Sequence, residues 1–263
     1  MIAALICEGV GENMSRIKFM NTEIDNLTMA EALNAIDDLI RQKKNAFVVT
    51  PNVDHIIQIE KGGELREAYK QADLILCDGK PLIWLSKWYG TPIKEKISGS
   101  DLFPLLCKRA AEKKYKMFFL GAAEGVAAKA AENLMKRYPG LDVIGVYSPP
   151  IGFEKKDDEM VKIEKMIKNA EPHILIVALG CPKQEVFILH NRNRLGVPIS
   201  LGLGASLDFE AGHIKRAPKW MAEHGFEWLY RICQDPKRLV KRYLIDDRKI
   251  VGLAFKYKKC GVK

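Results

Sequence analysis

The chain predicts an α/β fold: a mostly parallel sheet covered by helices on both faces, followed by a basic helical segment. Three observations carry this. Short runs that are apolar throughout, such as Phe47–Val49, Met117–Leu120 and Ile174–Leu179, suit strands buried on both faces. Stretches of helical periodicity lie between these runs, which is the order of a repeated strand–helix unit. Charge is also divided: residues 213–263 hold 14 Lys and Arg against 5 Asp and Glu, whereas residues 1–212 hold 28 of each sign.

The elements follow in order. Thr28 with Glu31 forms a capping box that opens a helix running to about Arg41. Ala46–Thr50 is a strand stopped by Pro51-Asn52, and Leu74–Cys77 is a strand stopped by Asp78-Gly79, with a helix through Trp84 to Tyr89. Ser100 can cap a helix from Asp101 to Lys113. Lys116–Leu120 is a strand ending in Gly121-Ala122-Ala123, followed by a helix to Tyr138. Strands at Asp142–Tyr147, Ile174–Leu179 and Ile199–Gly202 follow, with a helix near Asp157–Asn169 between the first two. Gly180 turns the chain without a Cβ penalty, and Pro182 suits the first turn of the next helix. After Gly212, Pro218, Gly225 and Pro236 divide the remainder into three short helical pieces. The domain reading is a leader over 1–13 (Met14 is an alternative start), an α/β core over 14–212 and a basic helical appendage over 213–263.

With 263 residues, 48% hydrophobic, the chain can bury a full core. Its six cysteines show no C-x-x-C and no metal-ligand spacing, which fits a reducing, cytosolic setting. No apolar run approaches the length of a membrane span. The concentrated positive charge points to an anionic partner: a membrane surface, a nucleic acid or a phosphorylated substrate. In the last segment Val240, Tyr243, Leu244, Ile250, Val251, Ala254 and Phe255 recur at helical spacing among Lys237, Arg238, Lys241, Arg242, Arg248 and Lys249. That pattern reads as a membrane-surface helix, the alternative being a helix docked on the core with a solvated charged face.

Several strand ends carry polar residues that a plain fold does not need. Lys183, Gln184 and Glu185 fall at a helix N-terminus beyond a strand, where free N–H groups suit a phosphate. Thr50 and Asn52 supply a hydroxyl and an amide. Asp78 follows an apolar run, where burial can raise its pKa toward general-base duty. The turns at Gly121-Ala122-Ala123 and Gly202-Leu203-Gly204-Ala205-Ser206 let a ligand approach backbone. Neither is G-x-G-x-x-G, and the chain has no Walker lysine motif and no G-x-S-x-G elbow. It also has no D-x-D, the carboxylate pair by which many glycosyltransferases hold a divalent metal. A departing diphosphate must then be met by helix N-termini and by Arg or Lys. No cofactor and no metal are expected.

Thr50-Pro51-Asn52, Asp78-Gly79, Gly99-Ser100-Asp101, Leu120–Ala123, Gly180-x-Pro182-Lys183-Gln184-Glu185, Gly202-x-Gly204-x-Ser206, Lys215–Pro218 and Glu227-Trp228-Leu229-Tyr230-Arg231 occur in this order. Together they resemble the WecG/TagA/CpsF family of bacterial glycosyltransferases, over about Ile17 to Arg242. The resemblance implies an inverting, metal-independent enzyme of envelope-polymer synthesis. Such an enzyme moves N-acetylmannosamine from a UDP donor to a polyprenyl-diphosphate-linked GlcNAc-type acceptor at the cytoplasmic membrane face. It implies Asp78 as general base, with Thr50, Asn52, Lys96 and Asp101 at the sugar and acceptor. Gly121, Ala122, Gly180, Lys183, Gln184 and Asp208 fall at the nucleotide, and Arg231, Arg238 and Lys241 at the leaving diphosphate. Where the close teichoic-acid members carry an arginine, this chain has Lys96, a point charge without bidentate geometry.

The protein would then lie peripherally on the inner face of the plasma membrane through residues 213–263, with no nucleic-acid partner and with homo-oligomerisation left open. One alternative keeps the mechanism and changes the donor to UDP-N-acetylmannosaminuronic acid or a UDP-hexose. A more distant one is a nucleic-acid-binding protein with a basic C-terminal arm carrying Trp228, Tyr230 and Tyr243.

Overall fold

The computed structural model describes residues 15–218, 220, 221 and 224–259. The leader expected over 1–13 lies outside the described residues. The described chain opens with a feature that the helix and strand patterns do not announce, an antiparallel hairpin of β1 (Arg16–Phe19) and β2 (Thr22–Asp25). Arg16 grips Asp25 with two hydrogen bonds of 2.8 and 2.9 Å, and Asp25 Oδ2 accepts from the Ile75 amide at 2.8 Å. One buried carboxylate thus closes the hairpin and joins it to the body.

Helix α1 (Met29–Gln42) starts at the expected capping box, with Glu31 N donating to Thr28 Oγ1 at 3.3 Å and Thr28 N to Glu31 Oε2 at 2.7 Å. There follow β3 (Ala46–Val49), α2 (Val53–Glu60), α3 (Glu64–Lys70), β4 (Leu74–Ile75), α4 (Lys80–Tyr89) and α5 (Gly99–Lys113). Only the first two residues of the expected Leu74–Cys77 strand pair in the ladder, yet the chain keeps beside its neighbour: Leu76 N bonds Val49 O and Asp78 N bonds Pro51 O, both at 2.9 Å. Ser98, not Ser100, caps α5, because it is the Ser98 hydroxyl that accepts from Asp101 N. Next come β5 (Lys116–Gly121), α6 (Val126–Arg137), β6 (Asp142–Tyr147), α7 (Asp157–Ala170), β7 (Ile174–Ala178), α8 (Lys183–Leu195), β8 (Ile199–Gly202) and α9 (Ser206–Ala211).

Strands β3 to β8 form one parallel sheet in the order β4-β3-β8-β7-β5-β6. Alternate residues of each strand face opposite layers. Val48, Phe119 and Ile176 belong to a cluster with α1, α5 and α6, whereas Val49, Phe118 and Val177 belong to one with α3, α7 and α8. Burying each such large apolar side chain contributes roughly 1.5–3 kcal/mol, which is why the strands read as apolar throughout. From β5 the chain goes outward to β6, and from β7 it goes the other way to β8, so the crevice between β5 and β7 is the switch point of the sheet.

The appendage continues as α10 (Glu227–Gln234), α11 (Pro236–Lys241), a π-helical turn over Arg242–Asp246 and α12 (Lys249–Lys259). It is docked rather than free. Ile250, Leu253 and Tyr257 pack on a third cluster formed by Phe19, Ile24, Ile56, Cys77, Leu82 and Ile93. Lys256 and Tyr257 both reach Glu60, at 2.5 and 2.7 Å, and Tyr89 Oη donates to the Ala254 carbonyl at 3.0 Å.

Candidate active site

Parallel strands release their following turns at one edge of the sheet, and two of these turns meet the appendage there. They enclose a cavity of about 340 Å³. Its core side is made by Asn52 after β3, by Asp78 after β4 and by Lys96 in the segment before α5. Its other side is made by Glu227, Trp228 and Arg231 of α10 and by Arg242, Tyr243 and Asp247 around the π-turn. Gly225 also lines it, at φ +80°, where an added Cβ would come within 2.9 Å of the Trp84 ring. A glycine there lets the appendage turn pass close against α4.

Asp78 is the core-side carboxylate of this cavity; Glu227 and Asp247 stand on the appendage side, where burial also raises the Asp247 pKa to about 6. Loss of solvent raises the Asp78 pKa, Lys96 opposes the rise, Glu227 adds to it, and Arg231 and His55 oppose it; the balance lies at about 6. A carboxylate with that value is charged at neutral pH and can take a proton far better than an ordinary aspartate. Asn52 caps α2: its Oδ1 accepts from Asp54 N at 3.1 Å and His55 N at 3.4 Å, and lies 2.7 Å from His55 Nδ1. That oxygen is committed to the fold, so the amide nitrogen is the part of Asn52 left for a ligand. Lys96 Nζ bonds Asp101 at 2.8 Å, and Asp101 also bonds Ser98 and Arg216. Asp101 is therefore an anchor for two cations at the entrance to α5 and does not itself line the cavity. Thr50 is buried behind it, in contact range of Gly99.

The basic residues divide differently from the sequence expectation. Arg231 lines the cavity and stacks over Phe209, 5.7 Å from the ring centre. Lys241 is exposed and does not line it; the next residue, Arg242, does. From Arg242 the chain enters the π-turn: Asp247 N bonds the Arg242 carbonyl at 2.8 Å, a five-residue step that winds the chain more loosely than an α-helix. Arg242 reaches Asp54 and Asn52, each at 3.4 Å, while its Nε is buried without a hydrogen-bond partner. The side chain of Arg238 lies outside the described residues.

A carboxylate poised for proton transfer, sharing one cavity with Lys80, Lys96, Arg231, Arg242 and Arg248, suits a reaction that deprotonates a hydroxyl and expels an anionic leaving group. The sequence comparisons bear on which reaction. The model of the glycosyl transferase WecG/TagA/CpsF family matches residues 17–262. The chain belongs to this family.

Relatives in the family carry a more specific name, N-acetylglucosaminyldiphosphoundecaprenol N-acetyl-beta-D-mannosaminyltransferase. One from Bacillus spizizenii is 31% identical over 250 residues, 95% of this chain and 93% of the relative. Others from Bacillus subtilis strain 168 and Staphylococcus aureus strain MW2 are 30% identical, covering 86% of this chain and 85% and 88% of theirs. Membership makes the protein a glycosyltransferase and accounts for the order of the quoted motifs along the chain.

The residues expected at the nucleotide gather along the same edge, at the ends of β5, β7 and β8, and none lines the cavity. Gly121 sits at φ +108°, where an added Cβ would fall 2.4 Å from the Ala178 carbonyl oxygen; Ala122 N donates to that same oxygen at 2.7 Å. Gly180 turns at φ +75°, and Lys183 is exposed at the start of α8, 3.2 Å from Glu154. Asp208 is in the first turn of α9. Gln184 is buried: its Oε1 accepts from Gly204 N at 2.9 Å and its Nε2 donates to Glu185 at 2.8 Å. Its amide therefore braces the turns after β7 and β8 and offers nothing outward.

Among the described residues, His55, Cys181 and Glu185 bring potential metal-ligand atoms within 4.8 Å of one another. Their donor set would suit a transition metal. His55 Nδ1 faces Asn52 and Glu185 Oε1 accepts from Gln184, which leaves His55 Nε2, Cys181 Sγ and Glu185 Oε2 as the atoms that could hold one. Sequence reasoning missed Glu227, Arg242 and Asp247 as site residues. Arg242 stands in a run of basic residues with no helical phase to single it out, and Glu227 was legible only as part of the E-W-L-Y-R segment.

Proposed function

We propose that the protein transfers N-acetylmannosamine from UDP to a polyprenyl-diphosphate-linked GlcNAc acceptor. The observation that carries this reading is Asp78, with its pKa near 6, facing Lys96, Arg231 and Arg242 across one cavity. The names of the relatives supply the sugar and the acceptor. In the reaction, Asp78 takes the proton of the acceptor hydroxyl as its oxygen attacks the anomeric carbon. The bond from that carbon to the diphosphate oxygen breaks, and UDP leaves with the electron pair. Attack from the face opposite the diphosphate inverts the anomeric centre. Arg231, Arg242 and Lys96 neutralise charge growing on the diphosphate, a role that a divalent metal fills in other transferases.

The appendage is also proposed to seat the enzyme on the inner face of the cytoplasmic membrane. Leu244, Ile245, Val251 and Phe255 are exposed beside basic residues, and no helix among the described residues is long and apolar enough to cross a membrane. A screen of UDP-sugars against a short-chain lipid GlcNAc-diphosphate, with and without EDTA, tests the assignment. Selective transfer of N-acetylmannosamine that survives EDTA is expected. Transfer of another sugar alone would overturn the donor, and a rate abolished by EDTA and restored by Mg²⁺ would overturn the metal-free mechanism.

A further inference from the structure

Three buried polar side chains connect the cavity to the turns at the nucleotide side without lining the cavity themselves. His55, Gln184 and Glu185 are 6%, 4% and 1% exposed. From Asn52 Oδ1 the path runs 2.7 Å to His55 Nδ1, then 3.5 Å from His55 Nε2 to Glu185 Oε1. It continues 2.8 Å to Gln184 Nε2, and from Gln184 Oε1 2.9 Å to the backbone amide of Gly204. Three separate parts of the chain are tied in this way: the turn after β3, the start of α8 and the turn after β8.

A carboxylate this deeply buried needs a counter-charge. Gln184 supplies one neutral donor, and Glu185 Oε2 has no hydrogen-bond partner at all. His55 is the side chain that meets it, with Nε2 3.5 Å from Oε1. Burial disfavours a charged imidazole, and the neighbouring Glu185 carboxylate favours one. At its other end the ring meets Asn52 twice: Nδ1 accepts from the Asn52 backbone N–H at 3.3 Å and lies 2.7 Å from Asn52 Oδ1. The bonds from the Asp54 and His55 amides to Oδ1 fix which end of the Asn52 amide faces α2 and which faces the cavity.

We propose that His55 and Glu185 are positioning residues: a buried polar link that holds Asn52 in the cavity and the Gly204 turn beside it in one fixed relation. The inference rests on the transferase reading for its catalytic consequence, because Asn52 is where a donor sugar would be touched. A displacement of about 1 Å at such a contact can cost about 10²-fold in rate.

The test uses His55→Gln and Glu185→Gln in the full chain. Both substitutions keep a polar side chain of similar reach and change the groups that meet between residues 55 and 185. Hydrogen exchange on the substrate-free protein reads the link independently of any activity. Each variant is expected to exchange faster at residues 53–56 and at 204–206 together, while still unfolding cooperatively. In the transfer assay each is expected to lose about 10–100-fold in kcat with a smaller change in donor KM. Combined with Asn52→Ala, neither should lower kcat further, since it acts through Asn52.

Unchanged exchange, faster exchange in only one of the two segments, or full additivity with Asn52→Ala would overturn the proposal. So would loss of cooperative unfolding, which would make the pair a folding element. One zinc ion per purified chain, lost on Cys181→Ser, would overturn it by making the trio a metal site. A wild-type enzyme that transfers none of the sugars tried would count against the function reading alone, and the exchange result would still decide the link.

Discussion

Asp78 combines two demands that ordinarily conflict. It must be desolvated enough to be basic, yet charged at neutral pH. Burial after an apolar strand meets the first, and the cations Lys96 and Arg231 meet the second by limiting the rise to about 6. The sign of the pH dependence follows. The base works when deprotonated, so kcat/KM is expected to be flat above about pH 7 and to fall tenfold per unit as pH drops below 6. Asp78→Asn should lower turnover by about 10²–10⁴-fold and remove that acid limb, with donor affinity little changed. A variant within a few-fold of wild type across the pH range would take Asp78 out of this role.

A second residue-scale prediction separates two neighbours. Arg242→Ala should cut kcat by about 10²-fold, because a half-buried guanidinium beside Asn52, with its Nε unsatisfied, is removed from the cavity. Lys241→Ala, at an exposed position outside it, should stay within about fivefold. Steady-state kinetics on the pair checks this, and the opposite order would show that Lys241 rather than Arg242 is the cation that reaches the substrate.

At the scale of elements, the parallel strands were legible because burial on both faces leaves an unmistakable apolar run. The β1–β2 hairpin was not, because Arg16–Asp25 is mixed in polarity and its pairing depends on Asp25 meeting Ile75 fifty residues later. The start of α5 was misread by two residues for a similar reason. Ser98 and Ser100 are both plausible caps, and only the local backbone decides which hydroxyl meets the Asp101 amide. Gly121 is a case in which the residue type was legible and its cause was not. It allows β5 and β7 to approach at the switch point, at a φ that a side chain strains against. Gly121→Ala is expected to destabilise the fold by about 2 kcal/mol or more and lower Tm by roughly 4–8 °C. Thermal unfolding measures it, and an unchanged Tm would mean that the strands have room to part.

For the whole molecule, a core with 28 charges of each sign carries an appendage of net +9. Each basic residue close to an anionic bilayer contributes about 1 kcal/mol, so binding to phosphatidylglycerol vesicles should exceed binding to phosphatidylcholine vesicles and weaken with salt. Cosedimentation at two ionic strengths tests this; equal binding to both lipids would remove the electrostatic part. The appendage also supplies Glu227, Trp228, Arg231 and Arg242 to the cavity, and its last helix covers the cluster around Phe19 and Ile56. Truncation after Gly212 is therefore expected to abolish transfer even on a water-soluble acceptor. A truncated protein that kept its full rate would reduce the appendage to an anchor.

Sequence alone determined the sheet, the family and most of the residues at strand ends, because strand burial and turn chemistry act over a few neighbouring positions. It also located the surplus charge. Tertiary structure decided which of those residues share a cavity. Asn52 and Asp78 meet because β3 and β4 are adjacent, and Arg242 joins them because the appendage folds back over the sheet edge. Gln184, legible as a ligand contact, proved to be bonded internally to Gly204 and Glu185. The physical reason is the same throughout. A side chain's partners are set by distance in space, and between residues 52, 78 and 242 that distance is fixed by packing, which no local pattern in the chain records.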